Sequence, residues 1–254
     1  MVLLDKSLAT AMNAKIVGSG SEVIVLAHGF GADQSVWDKI LPYLAQHYRV
    51  LVFDWTFSGA VEDQSLFDPL KYSSYDAFAN DLIALLDEMN LQSLVFVGHS
   101  MSASPRYINT DDYEGGFEKS GIEQIISSVE SDYENWATGF ASIAVDTTDP
   151  VSVEKFAKCL KRMRPEVALP LAKTVFYSDE RDLLDKVTTP CTIIQTTNDV
   201  VVPNSVASYM QNKIKGKSTV EIIDGDGHFP QLTAHLRLLD VLRSVLGFDI
   251  VGHS

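Results

Sequence analysis

Five short apolar runs, each followed by polar or glycine residues, predict the strands of a buried sheet. They are rich in β-branched or aromatic residues and too short for core helices, as expected of parallel strands that are covered on both faces. The runs lie at residues 22–27, 49–54, 93–97, 191–196 and 219–223.

Apolar residues at helical spacing fill the intervals between these runs. A helix is predicted over residues 75–89, where Ser73 and Asp76 are placed as a capping box. Further helices are predicted at residues 37–44, after residue 204 and at residues 236–246. This alternation of strands and helices predicts an α/β layer fold.

The stretch from residue 104 to residue 186 has a different pattern. About four helical stripes follow one another there, without a convincing strand. We therefore expect a core of residues 1–103 and 187–254, with residues 104–186 inserted as a helical lid.

Composition excludes several classes of protein. A hydrophobic content of 46% over 254 residues supports one large domain with a real core. The formal net charge of −14 argues against nucleic acid or an anionic membrane as a partner, since both require a basic patch. No stretch is long enough to cross a bilayer, and the N-terminus is a poor signal peptide.

Cysteine usage adds little chemistry. Cys159 and Cys191 are far apart and lack metal-ligand spacing. We expect reduced thiols in an intracellular protein, with no metal and no cofactor.

The third apolar run leads directly into GHSMS at residues 98–102, a near match to the Gly-x-Ser-x-Gly pattern of a nucleophile elbow. Small residues two positions either side of the serine allow the sharp turn, and Ser102 is small enough to replace the second glycine. Ser100 is therefore the candidate nucleophile.

A serine hydroxyl requires an imidazole to take its proton and a carboxylate to orient that imidazole. Asp199 follows the fourth run and His228 the fifth, so the order Ser, Asp, His is that of α/β-hydrolases. Each lies past the carboxyl end of a predicted strand, where a parallel sheet gathers its active site. Asp54 is an alternative acid, but it precedes the serine in the chain, which favours a structural role in its loop.

The sequence HGFG at residues 28–31 resembles a loop that supplies half of an oxyanion hole. The backbone N–H groups of Phe30 and Met101 would then face the developing negative oxygen. A plain glycine-rich turn is the alternative interpretation. Some of the many aromatic residues in the lid are expected to line an apolar pocket above Ser100.

With these residues in place, the chain resembles the plant karrikin and strigolactone receptor family and its bacterial stress-regulator hydrolase cousins. The resemblance extends across nearly the whole chain. FDWTFSG and GHSMS are most similar to the third, DWARF-like paralogue branch. The strings that carry the resemblance are LAHGFGADQSVWDKILP, VLVFDWTFSGA, YSSYDAFANDL, FVGHSMSA, SPRYINTDDYEGGFE, YENWATGFA, TVFYSDERDLL and DGDGHFPQLT.

The resemblance implies an α/β-hydrolase with a mostly parallel sheet and a V-shaped, four-helix lid. It implies slow hydrolysis of a small, apolar, butenolide-type lactone by Ser100, His228 and Asp199, in the cytoplasm and nucleus. F-box proteins and target repressors are the partners it implies. A non-catalytic, ligand-gated receptor and a generic carboxylesterase are alternatives. The positions that match the family's pocket are Phe30, Tyr113, Trp136, Phe140, Val175 and Phe176.

One departure from the family is serious. In the family a long helix and another strand follow the elbow, whereas here Ala103 is joined directly to Ser104-Pro105. A helix, a strand and their turns amount to roughly twenty residues. We expect a core shortened by about one helix and one strand. The strands on either side of the missing one would then either stay about 10 Å apart, with an empty lane between them, or move together and close the sheet.

Closing the sheet would shift Asp199 and His228 relative to Ser100, so we expect weak activity or none. A skipped exon or an error in the gene annotation could explain the missing segment. The alternative to a weakly active protein is a splice product that does not fold and has no function.

Overall fold

The computed structural model describes residues 7–249. Strands and helices alternate along the chain, with a block of helices in the middle. The strands are β1 (Lys15–Val17), β2 (Val23–Ala27), β3 (Arg49–Val52), β4 (Leu94–Gly98), β5 (Cys191–Asn198) and β6 (Ser218–Asp226). The α-helices are α1 (Leu8–Ala11), α2 (Leu41–Leu44), α3 (Tyr75–Glu88), α4 (Lys119–Ser131), α5 (Tyr133–Ala144), α6 (Pro150–Arg162), α7 (Pro165–Tyr177), α8 (Asn204–Lys213), α9 (Pro230–Thr233) and α10 (His235–Leu246).

The first sheet has the strand order β1-β3-β2-β4, with β2 parallel to both of its neighbours. All five residues of β2 are buried, because helices or loops cover both faces of this central strand. The short β1 pairs antiparallel with β3 at the edge and was not predicted. The five predicted strands are all present, and the α/β fold class is confirmed.

In the part of the chain that the structure describes, the second sheet consists of β5 and β6, which are parallel to each other. No backbone ladder joins β4 to β5 in the described chain, so the two sheets face each other without a shared strand. The closed-up sheet, in which β4 would pair with β5, is therefore not observed among the described residues; β4 and β5 each keep an unpaired edge, and the space between these two edges is the lane.

The segment after β4 is a single turn of 3-10 helix at Ser100–Ser102. The chain then runs directly to the lid, where the N–H of Glu180 donates a 2.8 Å hydrogen bond to the carbonyl of Pro105. With no helix behind it, β4 is poorly covered: Val95 is 37% exposed and Phe96 is 44% exposed. The pattern had predicted burial on both faces, and that prediction is wrong for β4.

Four helices, α4 to α7, occupy the interval where the sequence predicted about four helical stripes. They pack on the core through aromatic contacts, for example Phe30 with Trp136 and with Phe176. The division into core and lid at residues 103/104 and 186/187 stays a prediction.

Two local helix predictions are wrong. The helix predicted at residues 37–44 is split into a 3-10 turn, Gln34–Trp37, and the short α2, which has Pro42 in its first turn. Proline lacks an N–H and starts a helix more readily than it continues one. The predicted capping box also fails, since Ser74 is the N-cap of α3 and the Ser73 hydroxyl donates to the carbonyl of Leu70 instead.

Among residues 7–249, no helix combines the length and the apolar character needed to cross a membrane.

Candidate active site

Ser100 lies in a strained turn directly after β4. Its φ of +57° is in the left-handed region, which is unfavourable for a residue with a Cβ and is typical of strand-to-turn elbows. Glycines make room for the turn. A Cβ on Gly98 would lie 2.3 Å from the carbonyl oxygen of Ser102, and one on Gly29 would lie 2.7 Å from the Cβ of Ser100.

The three predicted residues form one chain of hydrogen bonds. Ser100 Oγ is 2.8 Å from His228 Nε2, and His228 Nδ1 is 2.7 Å from Asp199 Oδ2. Asp199 follows β5 and His228 follows β6, so the ends of separate strands position each group. The structure therefore brings together all three residues that the sequence selected.

The expected shift of Asp199 and His228 relative to Ser100 is not observed. A helix–strand crossover leaves one edge of a parallel sheet and returns to that same edge. Its removal joins two points at the carboxyl edge of the sheet, where Ser100 and Pro105 lie. The neighbouring loops can therefore keep their places while the lane below them stays empty.

Asp199 is buried and well supplied with donors. The N–H groups of Val201 and Val202 donate to Oδ1 at 2.8 and 3.0 Å, and Gln195 donates to Oδ2 at 3.2 Å. Burial alone would raise the pKa of Asp199, but the nearby His228 and the backbone N–H groups of Val202 and Val201 more than offset it and lower the pKa. Asp199 is thus held as a carboxylate facing the imidazole.

His99 is a second buried histidine beside this chain of hydrogen bonds. Its Nε2 lies 2.7 Å from the carbonyl oxygen of His228, so Nε2 carries the hydrogen and Nδ1 is bare. Burial, reinforced by His228, lowers the pKa of His99 to about 3. His99 is therefore neutral at ordinary pH, and it supports the His228 loop without exchanging protons.

The two predicted oxyanion donors lie next to the nucleophile. Neither the N–H of Phe30 nor that of Met101 has an acceptor within residues 7–249. Gly31, at φ +66°, bends the first of these loops. The role of both groups as an oxyanion hole stays a prediction.

Asp54, the alternative acid, is engaged elsewhere. Its carboxylate accepts hydrogen bonds from the side chain of Asn13 and from the backbone and side chain of Gln34. Its nearest imidazole is that of His28, at 3.9 Å. His28 in turn accepts the N–H of Trp55 at Nε2, so Asp54 belongs to a structural network.

A small cavity of about 10 Å³ lies beside Ser100, with room for about one water molecule. Its wall is almost entirely apolar and largely aromatic, and four of its members were among the predicted pocket positions: Phe30, Phe140, Val175 and Phe176. The wall consists of Phe30, Ser100, Tyr107, Phe140, Phe156, Val175, Phe176, Val201, His228 and Phe229.

The structure differs from the prediction at two pocket positions. The Tyr113 hydroxyl donates to the carbonyl of Arg106 at 2.8 Å, and its ring packs against Tyr209, which holds it outside the cavity wall. Trp136 stacks on Phe140 and lies behind that ring. Both side chains support the wall of the cavity and do not line it.

Tyr107 was missed by the sequence reasoning. Its hydroxyl lies 3.4 Å from Ser100 Oγ, and its side chain is 1% exposed. Burial raises the pKa of Tyr107 to about 12, so the group is a neutral hydroxyl. Its place in the sequence SPRY at residues 104–107, directly after Ala103, was the available signal.

No group of three or more His, Cys, Asp or Glu side chains within residues 7–249 could hold a metal ion. Cys159 and Cys191 are free thiols, and burial together with the nearby Asp33 raises the pKa of Cys159 to about 12.

Comparison with known proteins agrees with the fold. Residues 24–241 match the profile of the alpha/beta hydrolase family. The chain is 40% identical to strigolactone esterase D14 of Arabidopsis thaliana over 258 residues, covering 93% of this chain and 96% of that one. It is 38% identical to the karrikin insensitive 2 receptor IA of Petunia hybrida over 266 residues, covering 96% and 97%.

Among solved structures, the hydrolase olei00960 from Oleispira antarctica superposes with a TM-score of 0.91 at 28% identity, covering 96% of this chain and 97% of that one.

The alignment lengths show how many residues of the relatives are missing from this chain. The alignment with the Arabidopsis protein spans 258 positions, but 93% of 254 residues is only about 236 residues of this chain. Roughly twenty positions of the relative thus have no counterpart here, about the size of one helix and one strand. The similar identities to both kinds of relative do not separate the branches, so the third-branch assignment stays a prediction.

Proposed function

Because this chain belongs to the alpha/beta hydrolase family, in the group of the strigolactone esterases and karrikin insensitive 2 receptors, we propose that it is a serine hydrolase of small apolar lactones of the butenolide class. The observation that carries the proposal is the pair of hydrogen bonds, 2.8 and 2.7 Å long, that link Ser100 through His228 to Asp199. Both hydrogen bonds are in place even though no strand joins β4 to β5 within residues 7–249.

In the proposed reaction, Ser100 Oγ attacks the lactone or ester carbonyl while its proton moves to His228 Nε2. Asp199 accepts the Nδ1–H of His228 and stabilises the imidazolium that forms. The N–H groups of Phe30 and Met101 bind the negative oxygen of the tetrahedral intermediate. His228 then returns its proton to the leaving oxygen, and a water molecule activated by His228 hydrolyses the acyl-enzyme.

We propose that turnover is weak, for two reasons that lie outside the triad. The cavity of about 10 Å³ cannot accept a substrate until its aromatic wall moves. In addition, the single 3-10 turn after Ser100 brings no long helix dipole to the oxyanion. Such a dipole stabilises a nearby negative charge by about 0.3–1 kcal/mol, and by up to about 2 kcal/mol at partly buried sites.

Hydrolysis of p-nitrophenyl acetate by the purified protein tests the nucleophile. Ser100→Ala should remove the enzyme-dependent rate, while Ser128→Ala, on the exposed side of α4, serves as the matched control. Equal rates for the Ser100→Ala and unsubstituted proteins would rule out a serine mechanism.

The substrate class requires a second assay. A synthetic butenolide joined through an enol ether to a fluorescent leaving group should release that group and leave an acyl mass on Ser100. Turnover of p-nitrophenyl acetate without any reaction of this butenolide would instead favour a generic carboxylesterase.

A ligand-gated receptor is the second candidate, and the filled cavity favours it. A ligand can enter only by displacing the aromatic wall, so binding must change the arrangement of the lid. F-box proteins and target repressors, in the cytoplasm and nucleus, would be the corresponding partners. A thermal shift with the butenolide and ligand-dependent capture of such a partner, both retained in Ser100→Ala, would support the receptor. Loss of both in that variant would favour the enzyme.

A further inference from the structure

The empty lane has two walls, and each is the open edge of a sheet. Within residues 7–249, β4 pairs only with β2 on one side, and β5 pairs only with β6 on the other. Both strands point the same way, because Ser100 follows β4, Asp199 follows β5, and the two residues meet at one site. The lane is therefore bordered by two strands that run in the same direction.

Hydrogen bonding shows which backbone groups face the lane from β4. The N–H of His99, in extended conformation, donates to the carbonyl of Ala27 in β2. Backbone direction alternates along a strand, so Val95 and Val97 also point toward β2. The N–H and C=O groups of Leu94, Phe96 and Gly98 then point into the lane.

The same argument applies to β5. The N–H of Cys191 donates to the carbonyl of Lys217, next to β6, so Ile193 and Gln195 face β6 as well. The backbone groups of Thr192, Ile194 and Thr196 point into the lane. Within residues 7–249, none of the six outward-facing residues on the two walls has a backbone hydrogen-bond partner for these groups.

Side chains along both walls are uncharged. β4 reads LVFVG, and the facing part of β5 reads CTIIQT, without Lys, Asp, Glu or Pro. Natural edge strands normally carry charges or proline that prevent pairing with other chains. The exposure of both Val95 and Phe96 shows that apolar side chains on the two faces of β4 are also uncovered.

These observations define what fits the lane. Two neighbouring strands lie about 4.8 Å apart, so a lane with one strand missing takes one strand and no more. A second folded copy would present an edge strand backed by its own sheet, which is too wide for this space. A single extended segment satisfies the polar groups on both walls.

We propose that the lane between β4 and β5 is an acceptor site for one β-strand of another polypeptide. The strand contains about five uncharged, β-branched or aromatic residues, runs parallel to β4 and β5, and is preceded by an amphipathic helix. The helix is included because β4 is poorly covered, as the 44% exposure of Phe96 shows, and an added strand alone would leave that face of the sheet uncovered. Relatives carry roughly twenty aligned positions that this chain lacks, which is the size of such a helix–strand unit.

The proposal is tested with a synthetic peptide that copies the segment of the Arabidopsis strigolactone esterase D14 with no counterpart in this chain. The matched control peptide has proline at the centre of its strand portion, which removes one N–H and blocks the ladder. The first peptide should bind one to one and raise the melting temperature, and the proline peptide should bind about tenfold or more weakly.

Amide hydrogen exchange gives the decisive readout. Bound peptide should slow exchange at Leu94, Phe96 and Gly98 on one wall. It should do the same on the other wall, at Thr192, Ile194 and Thr196. The alternate amides of β4, at Val95 and Val97, serve as internal controls because they already point toward β2.

Protein variants complete the test. Phe96→Lys places a charge beside the lane at a half-exposed position and should weaken peptide binding by about tenfold or more. Leu236→Lys makes the same kind of change at an exposed residue of α10 and should leave the affinity within about twofold.

Three results would overturn the proposal. The first is no binding up to the solubility limit of the peptide, and the second is equal binding of the proline peptide. The third is a dimer by sedimentation whose lane-facing amides are already protected without peptide, since the occupant is then a second copy of this chain.

Discussion

The backbone N–H of His228 donates a 2.7 Å hydrogen bond to the carbonyl oxygen of Ala144, the last residue of α5. The end of α5, one of the four helices of the predicted lid, is thereby fixed to the loop that carries the His228 imidazole. This approach is close because Gly227, at φ +85°, has no side chain: a Cβ there would lie 1.4 Å from the carbonyl oxygen of Val145. Movement of α5 relative to this loop must break the bond to His228.

Gly227→Ala should therefore displace the His228 loop, with a loss of about 2 kcal/mol or more in the free energy of unfolding. Hydrolysis of p-nitrophenyl acetate should fall with it. Gly225→Ala is the matched control, because Gly225 does not have a positive φ and its nearest neighbour, the Cβ of Ala234, would be 3.5 Å away. Thermal melts and initial rates of both variants check this. Equal stability of the two variants would contradict the close contact.

Asp199→Asn should keep the fold and lower kcat by about four orders of magnitude. The Asn carbonyl can still accept the N–H groups of Val201 and Val202, but its NH₂ group would face His228 Nδ1. That nitrogen would have to accept, leaving the hydrogen on Nε2, where Ser100 needs an acceptor. Kinetics on p-nitrophenyl acetate measure the loss, and an unchanged kcat would mean that His228 does not act through this pair.

His99 should make the protein less stable below about pH 6.5. Its folded pKa of about 3 lies below the ordinary value of 6.5, so the unfolded chain binds the extra proton between these two pH values. The free energy of unfolding should then fall by about 1.4 kcal/mol per pH unit as the pH decreases, for this one group. His99→Gln retains a side-chain donor for the carbonyl of His228 and should flatten this slope. Urea titrations between pH 4 and pH 7 measure it, and identical slopes for both proteins would contradict the assignment.

Phe140→Ala should enlarge the small cavity beside Ser100 and favour longer acyl chains. The rate on p-nitrophenyl butyrate relative to acetate should rise by about tenfold or more, since even one of the two additional methylenes, once accommodated, contributes about 1–3 kcal/mol. Tyr177→Ala, on an exposed part of α7, should leave the ratio unchanged. Parallel assays of the three proteins on both esters test this, and an unchanged ratio in Phe140→Ala would show that the ring does not limit the space for the acyl group.

The triad and most of the sheet could be predicted from the sequence because each depends on local pattern. Ser100, Asp199 and His228 each follow a short apolar run, and the order of parallel strands brings the ends of such runs to one edge. The three residues of β1 carry no comparable signal. Tyr113 matches a pocket position of the family by its place in the sequence. Its hydrogen bond to the carbonyl of Arg106 depends on how the loop after Ser100 folds, and the spacing of hydrophobic residues does not predict that loop.

Only one of the two expected effects of the missing segment is observed. Counting residues correctly indicated an absent helix and strand, and hence the open side of β4. The expectation that Asp199 and His228 would move failed because it treated the sheet as rigidly continuous. The loops at the carboxyl edge hold one another directly, as the contact of His99 with the carbonyl of His228 shows.

The division of the sheet affects the cooperativity of unfolding. Without a backbone ladder across the lane, the half that contains β2 and the half that contains β5 are coupled through loops, helices and the residues around His228. Denaturant can therefore separate the two halves before either half unfolds. A mutation that loosens the loops would then uncouple two folding units, whereas in an unbroken sheet the same mutation would weaken a single one.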